Sequence, residues 1–345
     1  MKKVCVVGHF GFGENMLNGQ TIKTKTVTTE LEKQLGADQV MKIDTHGGAK
    51  ALLKITVQLI NAFKNCKNII IFPAHNGIKV FVPLCNAINK VFHRKLHYVV
   101  IGGWLNELLD EHKKIEAELN TFTGIYVETN AMKSTLSKRG FKNVEVMPNF
   151  KDIKILSEDE LVYNTEKPYK LCTFSRVMKE KGIEEAVEAV QKVNVEQDRI
   201  VFTLDIYGQI DSEQVEWFEK LKSRFPKYVT YKGIVPYDKS VDTIKEYYAL
   251  LFLTYYEGEG FAGTLLDAMA AGVPVIASNW KYNSEIVITN INGVLVEPKD
   301  SSSISNALMK CLDEKWHLMK KEAICEAVKY NPSNAIRVLV SRLES

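Results

Sequence analysis

Short aliphatic and β-branched runs alternate with longer segments of helical periodicity along the whole chain. In the first half the runs fall at 3–7, 40–43, 68–72, 97–101, 124–128 and 143–147, with helical patterns at 20–35, 48–65, 78–92, 104–118 and 130–139 between them. Runs that are apolar throughout predict parallel strands buried on both faces, with the amphipathic segments as the covering helices. The rhythm then restarts. Strand-like runs at 170–174, 200–206, 228–232, 250–254, 273–277 and 293–296 alternate with helical patterns at 181–193, 211–224, 238–247, 261–271, 283–288 and 301–314. Two successive runs of this kind predict an α/β protein of two doubly wound, Rossmann-like domains. Residues 148–168 are polar, bracketed by Pro148 and Pro168 and without sustained periodicity, which reads as a connection. The expected division is a first domain over 1–150, a linker over 151–168 and a second domain over 169–330. The tail, 315–343, is helical with a break at Asn331-Pro332. Because open α/β sheets bind ligands outside the carboxyl ends of their strands, a site in a cleft between two facing domains is expected.

Length and composition agree with this picture: 345 residues, 46% hydrophobic and 25% charged, suit two ordinary globular domains. Charge adds an asymmetry. Residues 1–150 carry 20 Lys and Arg against 12 Asp and Glu, whereas the remainder carries 25 against 30, within a net charge of +3. The first half is therefore expected to meet something anionic. The six cysteines show no zinc or redox spacing, which predicts a reducing compartment without disulfides. Met1-Lys2-Lys3 leads directly into the strand-like VCVVG, and no apolar stretch approaches the length of a membrane helix. A soluble, cytoplasmic protein is expected, at most peripheral on the inner face of a membrane.

The chemistry concentrates after strands. Residues 255–278, YYEGEGFAGTLLDAMAAGVPVIAS, place Glu257 and Glu259 among glycines, then a helix carrying Asp267. Glycines allow backbone to approach a ligand closely, and a helix start offers unpaired N–H groups. This stretch resembles the signature of retaining glycosyltransferases of family four, with Glu259-Gly260-Phe261 as its first part and Asp267 eight positions beyond the acid. The resemblance implies the GT-B fold. It implies that Glu259, with the loop Gly260, Phe261, Ala262 and Gly263, holds a donor sugar near its anomeric carbon, and that Asp267 holds the ribose. The chain departs from the family in carrying Asp at 267 where Glu is usual.

Residues 172–187, CTFSRVMKEKGIEEAV, set Arg176 and Lys181 five apart ahead of a helix. They resemble the family's pair on the donor diphosphate, where two cations and a helix start neutralise the leaving group. The glycine-rich stretch 6–25 does not spell the dinucleotide fingerprint. Asn18-Gly19 stand where the family has a Gly-Gly pair beside the donor phosphates, with Gln20 and Lys23 as further candidates. Backbone near Ile234, in YKGIVP, corresponds to the place that holds uracil. At 102–104, Gly-Gly-Trp replaces a histidine that in the family often touches the donor sugar. His75 is a candidate replacement, against the reading that it satisfies a loop. His93 and His97, flanking Arg94 and Lys95, read as surface residues. The segment 80–98 has two readings: an amphipathic helix on anionic membrane, or, more commonly, a helix packing its apolar face inward.

The resemblance thus implies a hexosyltransferase-type, retaining enzyme that moves a sugar from a nucleotide-sugar, a UDP-sugar, to a glycan or lipid-linked acceptor in capsule or polysaccharide assembly. No Asp-x-Asp metal motif stands at a strand end, so no metal and no cofactor are expected, and nucleic acid is not an expected partner. The alternatives are a GT-B nucleotide-sugar epimerase or phosphorylase, a sugar-nucleotide-binding subunit without turnover, and an NAD-dependent oxidoreductase, the last disfavoured by the glycine spacing.

Overall fold

A computed structural model describes residues 1–13, 19–163 and 166–344. The chain divides into two compact units, one of residues 1–151 with 331–345 and one of residues 152–330.

The first unit runs β1 (Lys2–Gly8), α1 (Gly19–Leu35), β2 (Val40–Asp44), α2 (Gly48–Asn65), β3 (Cys66–Ile71) and α3 (His75–Phe92). It continues through β4 (Lys95–Val99), α4 (Leu105–Glu111), α5 (Lys113–Leu119), β5 (Gly124–Val127), α6 (Asn130–Lys138) and β6 (Val144–Val146). The six strands form one parallel sheet in the order β2-β1-β3-β4-β5-β6. Val4, Val6, Ile69 and Ile70 are wholly buried, as strands covered on both faces must be.

The second unit comprises β7 (Tyr169–Phe174), α7 (Ile183–Glu196), β8 (Phe202–Tyr207), α8 (Val215–Lys222), β9 (Val229–Gly233) and α9 (Ser240–Ile244). Then follow β10 (Ala249–Phe252), α10 (Gly263–Ala270), β11 (Val275–Ser278), α11 (Asn283–Ile286), β12 (Gly293–Val296), α12 (Ser301–Lys310) and α13 (Met319–Val328). Its parallel sheet has the order β12-β11-β10-β7-β8-β9. The aperiodic stretch before β7 still contributes to this unit: Leu156 and Leu161 are buried, and Leu156 N–H donates to the Ala270 carbonyl at 2.9 Å.

After α13 come α14 (Pro332–Ala335) and α15 (Arg337–Glu344). Pro332 sits at the first position of α14, where its missing N–H costs nothing, and the Asn331 side chain caps the turn. Leu339 and Leu343 of α15 are buried in the same core as Val4, Val27 and Leu31. Asn68 Nδ2 donates to the Leu343 carbonyl, and Arg342 pairs with Glu145 at 2.9 Å.

The histidine reading needs a correction. His93 is exposed, but His97 is fully buried inside β4, between the Tyr126 hydroxyl at 3.0 Å and the Asn68 side chain at 3.1 Å. The run at 97–101 predicts the strand, but the charges at 94 and 95 suggest a surface start to it, whereas every position of β4 after Lys95 is internal. The expected helix 104–118 is two helices, α4 and α5, separated at His112, whose ψ of 66° is not helical.

Candidate functional site

In each sheet the strand order reverses direction at the first strand, next to β3 in the first unit and β10 in the second. Loops leaving the two strands at such a point diverge and leave a crevice at their carboxyl ends. The loops after β7 and β10 carry Arg176, Lys181, Glu257 and Glu259.

The loop after β7 turns on Gly182. Its φ of 69° is left-handed, and an added Cβ would lie 2.3 Å from the Leu253 carbonyl oxygen, so only glycine brings Lys181 this close to the end of β10. Gly208, after β8, repeats the device with a φ of 136° against the Ser175 carbonyl. Through this approach Lys181 Nζ donates to Glu259 Oε2 at 2.5 Å, with both side chains largely buried. Thr254 Oγ1, wholly buried, donates to the same oxygen at 2.6 Å. The ammonium also lies 5.1 Å from the centre of the Tyr256 ring. The acid that carries the strongest sequence signal is therefore fixed in one orientation by two donors.

Glu257 differs in every respect. Its side chain is 77% exposed and pairs with Lys281 at 2.9 Å. Arg176 is 56% exposed and touches Asp211 at 3.3 Å, a loose surface pair that a stronger anion displaces at little cost.

Beyond Glu259, Gly260 and Phe261 are buried, the latter edge-on to Tyr330 with ring centres 4.9 Å apart. Ala262 is the extended residue before α10, so the helix opens at Gly263, and Thr264 Oγ1 ties that start to the Phe174 carbonyl at 2.7 Å. The end of β7 and the start of α10 are thereby joined beside the Lys181–Glu259 pair. Asp267, deeper in α10, is 2% exposed and accepts a hydrogen bond from Ser240 Oγ at 2.9 Å. Ser240 opens α9 at the end of the loop that follows β9, where Ile234 is 60% exposed.

The candidates of the first unit are more scattered. Gly19 opens α1 in open space, whereas Asn18 lies outside the described residues. Gln20 donates its side-chain amide to the Phe72 carbonyl at 3.1 Å. Lys23 is 5% exposed, paired with Glu128 and hydrogen-bonded to Asn149, each at 3.1 Å, and faces the Phe150 ring. It ties α1 to the carboxyl ends of β5 and β6. His75 is exposed at the start of α3, edge-on to Trp104 at 5.3 Å. Among the described residues no group of His, Cys, Asp and Glu side chains is arranged to hold a metal ion.

Sequence reading missed Thr254, Ser240 and Glu128. The last residue of LLFLT is a buried hydroxyl directly after an apolar strand, a signal that was available. Ser240 and Glu128 acquire meaning only through partners 27 and 105 residues away in the chain.

Residues 158–329 match the model of the family described as glycosyl transferases group 1. The GtfA subunit of the UDP-N-acetylglucosamine–peptide N-acetylglucosaminyltransferase of Streptococcus gordonii is 28% identical over 198 residues, 55% of this chain and 36% of that protein. An uncharacterised glycosyltransferase of Methanocaldococcus jannaschii is 26% identical over 164 residues, 47% of this chain and 41% of its own length. The matched regions thus span well under half of these relatives. Among solved structures, Anabaena HepE in complex with UDP and glucose superposes with a TM-score of 0.75 at 14% identity over the whole of both chains. Sucrose-phosphate synthase from Thermosynechococcus elongatus gives 0.74 at 15% identity, covering 100% of this chain and 98% of that one. The chain has the two-unit fold of GT-B glycosyltransferases, and its residues 158–329 are similar to the family of glycosyl transferases group 1.

Proposed function

We propose that the protein is a retaining glycosyltransferase of the family-four type that moves a sugar from a UDP-sugar to a hydroxyl of a glycan or lipid-linked acceptor, without a metal ion. The observation that carries this reading is the Glu259 carboxylate, buried at the carboxyl end of β10 and held by both Lys181 and Thr254. A fixed, desolvated carboxylate beside a cation and a helix start suits a centre where a sugar becomes positive as a diphosphate becomes negative.

In this account Arg176 exchanges its exposed contact with Asp211 for the donor diphosphate, and Lys181 turns its remaining N–H groups to the same oxygens. Glu259 orients the sugar hydroxyls, with the backbone of Gly260 to Gly263 around it. Asp267, oriented by Ser240, holds the ribose, and backbone at Ile234 meets the uracil. The bond from the anomeric carbon to the diphosphate oxygen breaks while the acceptor oxygen bonds to that carbon from the same face. The acceptor proton passes to the departing diphosphate oxygen, so no protein nucleophile is required. Similarity to a relative named as a subunit of a UDP-N-acetylglucosamine–peptide N-acetylglucosaminyltransferase makes UDP-N-acetylglucosamine the first donor to try, with UDP-glucose, held by a solved structure of the same fold, second.

The test is release of free UDP from these donors, together with the anomeric configuration of the new bond by NMR. Release with an α-linked product from an α-linked donor is expected. An inverted product contradicts the retaining assignment. Binding of donor without any release, across acceptors, favours a non-catalytic sugar-nucleotide-binding subunit instead.

A further inference from the structure

The outer surface of α2 and α3 has no part in the reading above, and its composition is unusual. Between Asp44 and Glu107 the chain contains eight Lys and Arg and no Asp or Glu. The connections β2 to β3 and β3 to β4 cross the sheet in the same direction, so right-handed crossovers set α2 and α3 side by side on one face. Ile55, Leu59 and Phe63 of α2, with Ile78, Val82 and Cys85 of α3, fill the inward positions.

The outward positions of a surface helix are ordinarily polar. On α2 they include Leu53, Val57 and Ile60, exposed by 81, 62 and 38% and spaced to form one stripe. On α3, Val80 and Val91 are exposed by 41 and 73%. Lys54, Lys64, Lys79 and Lys90 stand exposed around them. Of the two acids of neighbouring α5, Glu116 is engaged by Arg139 and Lys113, and Glu118 is half-buried. An ordinary solvated surface intersperses both signs of charge and shows apolar side chains singly.

We infer that this α2–α3 face docks on an anionic phospholipid bilayer, with the Leu53–Val57–Ile60 stripe entering the acyl boundary and the lysines reaching the headgroups. Aliphatic side chains flanked by flexible ammonium stems, without acids, complement such a surface in both hydrophobicity and charge. A protein interface is centred on Trp, Tyr and Arg and depleted in Lys, and α2 exposes no aromatic residue and no arginine. The same lack of stacking and forked groups disfavours nucleic acid. Docking stands independently of sugar transfer.

Flotation of the full chain with vesicles tests this, using mixed phosphatidylglycerol and phosphatidylcholine against phosphatidylcholine alone. Binding to the mixed vesicles only, weakened by salt, is expected. The exposed double substitution Leu53→Ser/Val57→Ser should weaken partitioning at least ~tenfold without lowering the melting temperature, since these side chains leave no core contact. A second variant, Lys54→Glu/Lys64→Glu, should abolish the preference for anionic vesicles. No flotation of the parent with anionic vesicles, or flotation of both variants equal to that of the parent, overturns the proposal. So does binding of polyglutamate or single-stranded RNA in preference to the vesicles, which would assign the face to a protein or a nucleic acid.

Discussion

Glu257 and Glu259 share a loop, and the sequence separates them only by register: Glu259 stands eight positions before Asp267 and is followed by Gly-Phe. The structure gives that register a physical content. Glu259 is buried under two donors, while Glu257 points to solvent and Lys281. Glu259→Gln keeps the shape and removes the charge that complements a positive transition state, so turnover should fall by two or more orders of magnitude, about 3 kcal/mol. Glu257→Gln should stay within a few-fold of the parent. Turnover of both variants, measured side by side as UDP release, checks this, and a dead Glu257→Gln with an active Glu259→Gln would sink the assignment. Other side chains were not legible this way. Lys23 stood only as a further candidate beside Asn18-Gly19; it lies in a buried pair with Glu128, 105 residues away, and no local pattern announces that partner.

At the scale of elements, the strands were legible because both faces of each sheet are covered, which leaves nearly continuous apolar runs. Helix ends were less so. The pattern starts a helix at Phe261, yet Ala262 has a ψ of 127°, and the chain is released into α10 only at Gly263. That delay places the loop backbone, rather than a helix side, beside Glu259. β4 shows the opposite failure, where a cluster of basic residues hid an internal histidine. Burial, with the Lys95 and Arg342 charges, pushes His97 down to about 3 from an ordinary value of 6.5. The folded value lies below the unfolded one, so the unfolded chain takes the proton first as pH falls. His97 stabilisation is therefore complete above pH 6.5 and lost between 6.5 and about 3, at about 1.4 kcal/mol per pH unit. Urea unfolding at pH 7 and pH 5 should show a smaller loss for His97→Gln than for the parent. Equal losses would place the titration elsewhere.

Across the whole molecule, each unit is a doubly wound sheet, and the strongest motifs lie where the second sheet changes direction, between β7 and β10. The fold class was readable from the repeated rhythm of runs and helices, because that rhythm follows directly from parallel strands and their crossovers. Neutralisation of the leaving group by Arg176 and Lys181 predicts that EDTA leaves UDP release unchanged within a factor of about two. A loss restored by Mn²⁺ or Mg²⁺ would show that those two cations do not suffice.

The central claim is that the β7 and β10 loops receive the diphosphate of a uridine nucleotide. Arg176 is the cleanest probe of it, since its side chain is 56% exposed and the Asp211 carboxylate left by its removal still accepts the Glu213 N–H, whereas removal of Lys181 takes the cation from the buried Glu259. Charge-assisted contacts to phosphate contribute ~1.5–3 kcal/mol, a factor of about ten to a hundred in affinity. Titration calorimetry of UDP into the protein and into Arg176→Ala should therefore show binding to the parent and a Kd raised about tenfold to a hundredfold in the variant, with melting temperatures unchanged. No heat of UDP binding to the parent, or equal affinity in the two proteins, would contradict the account.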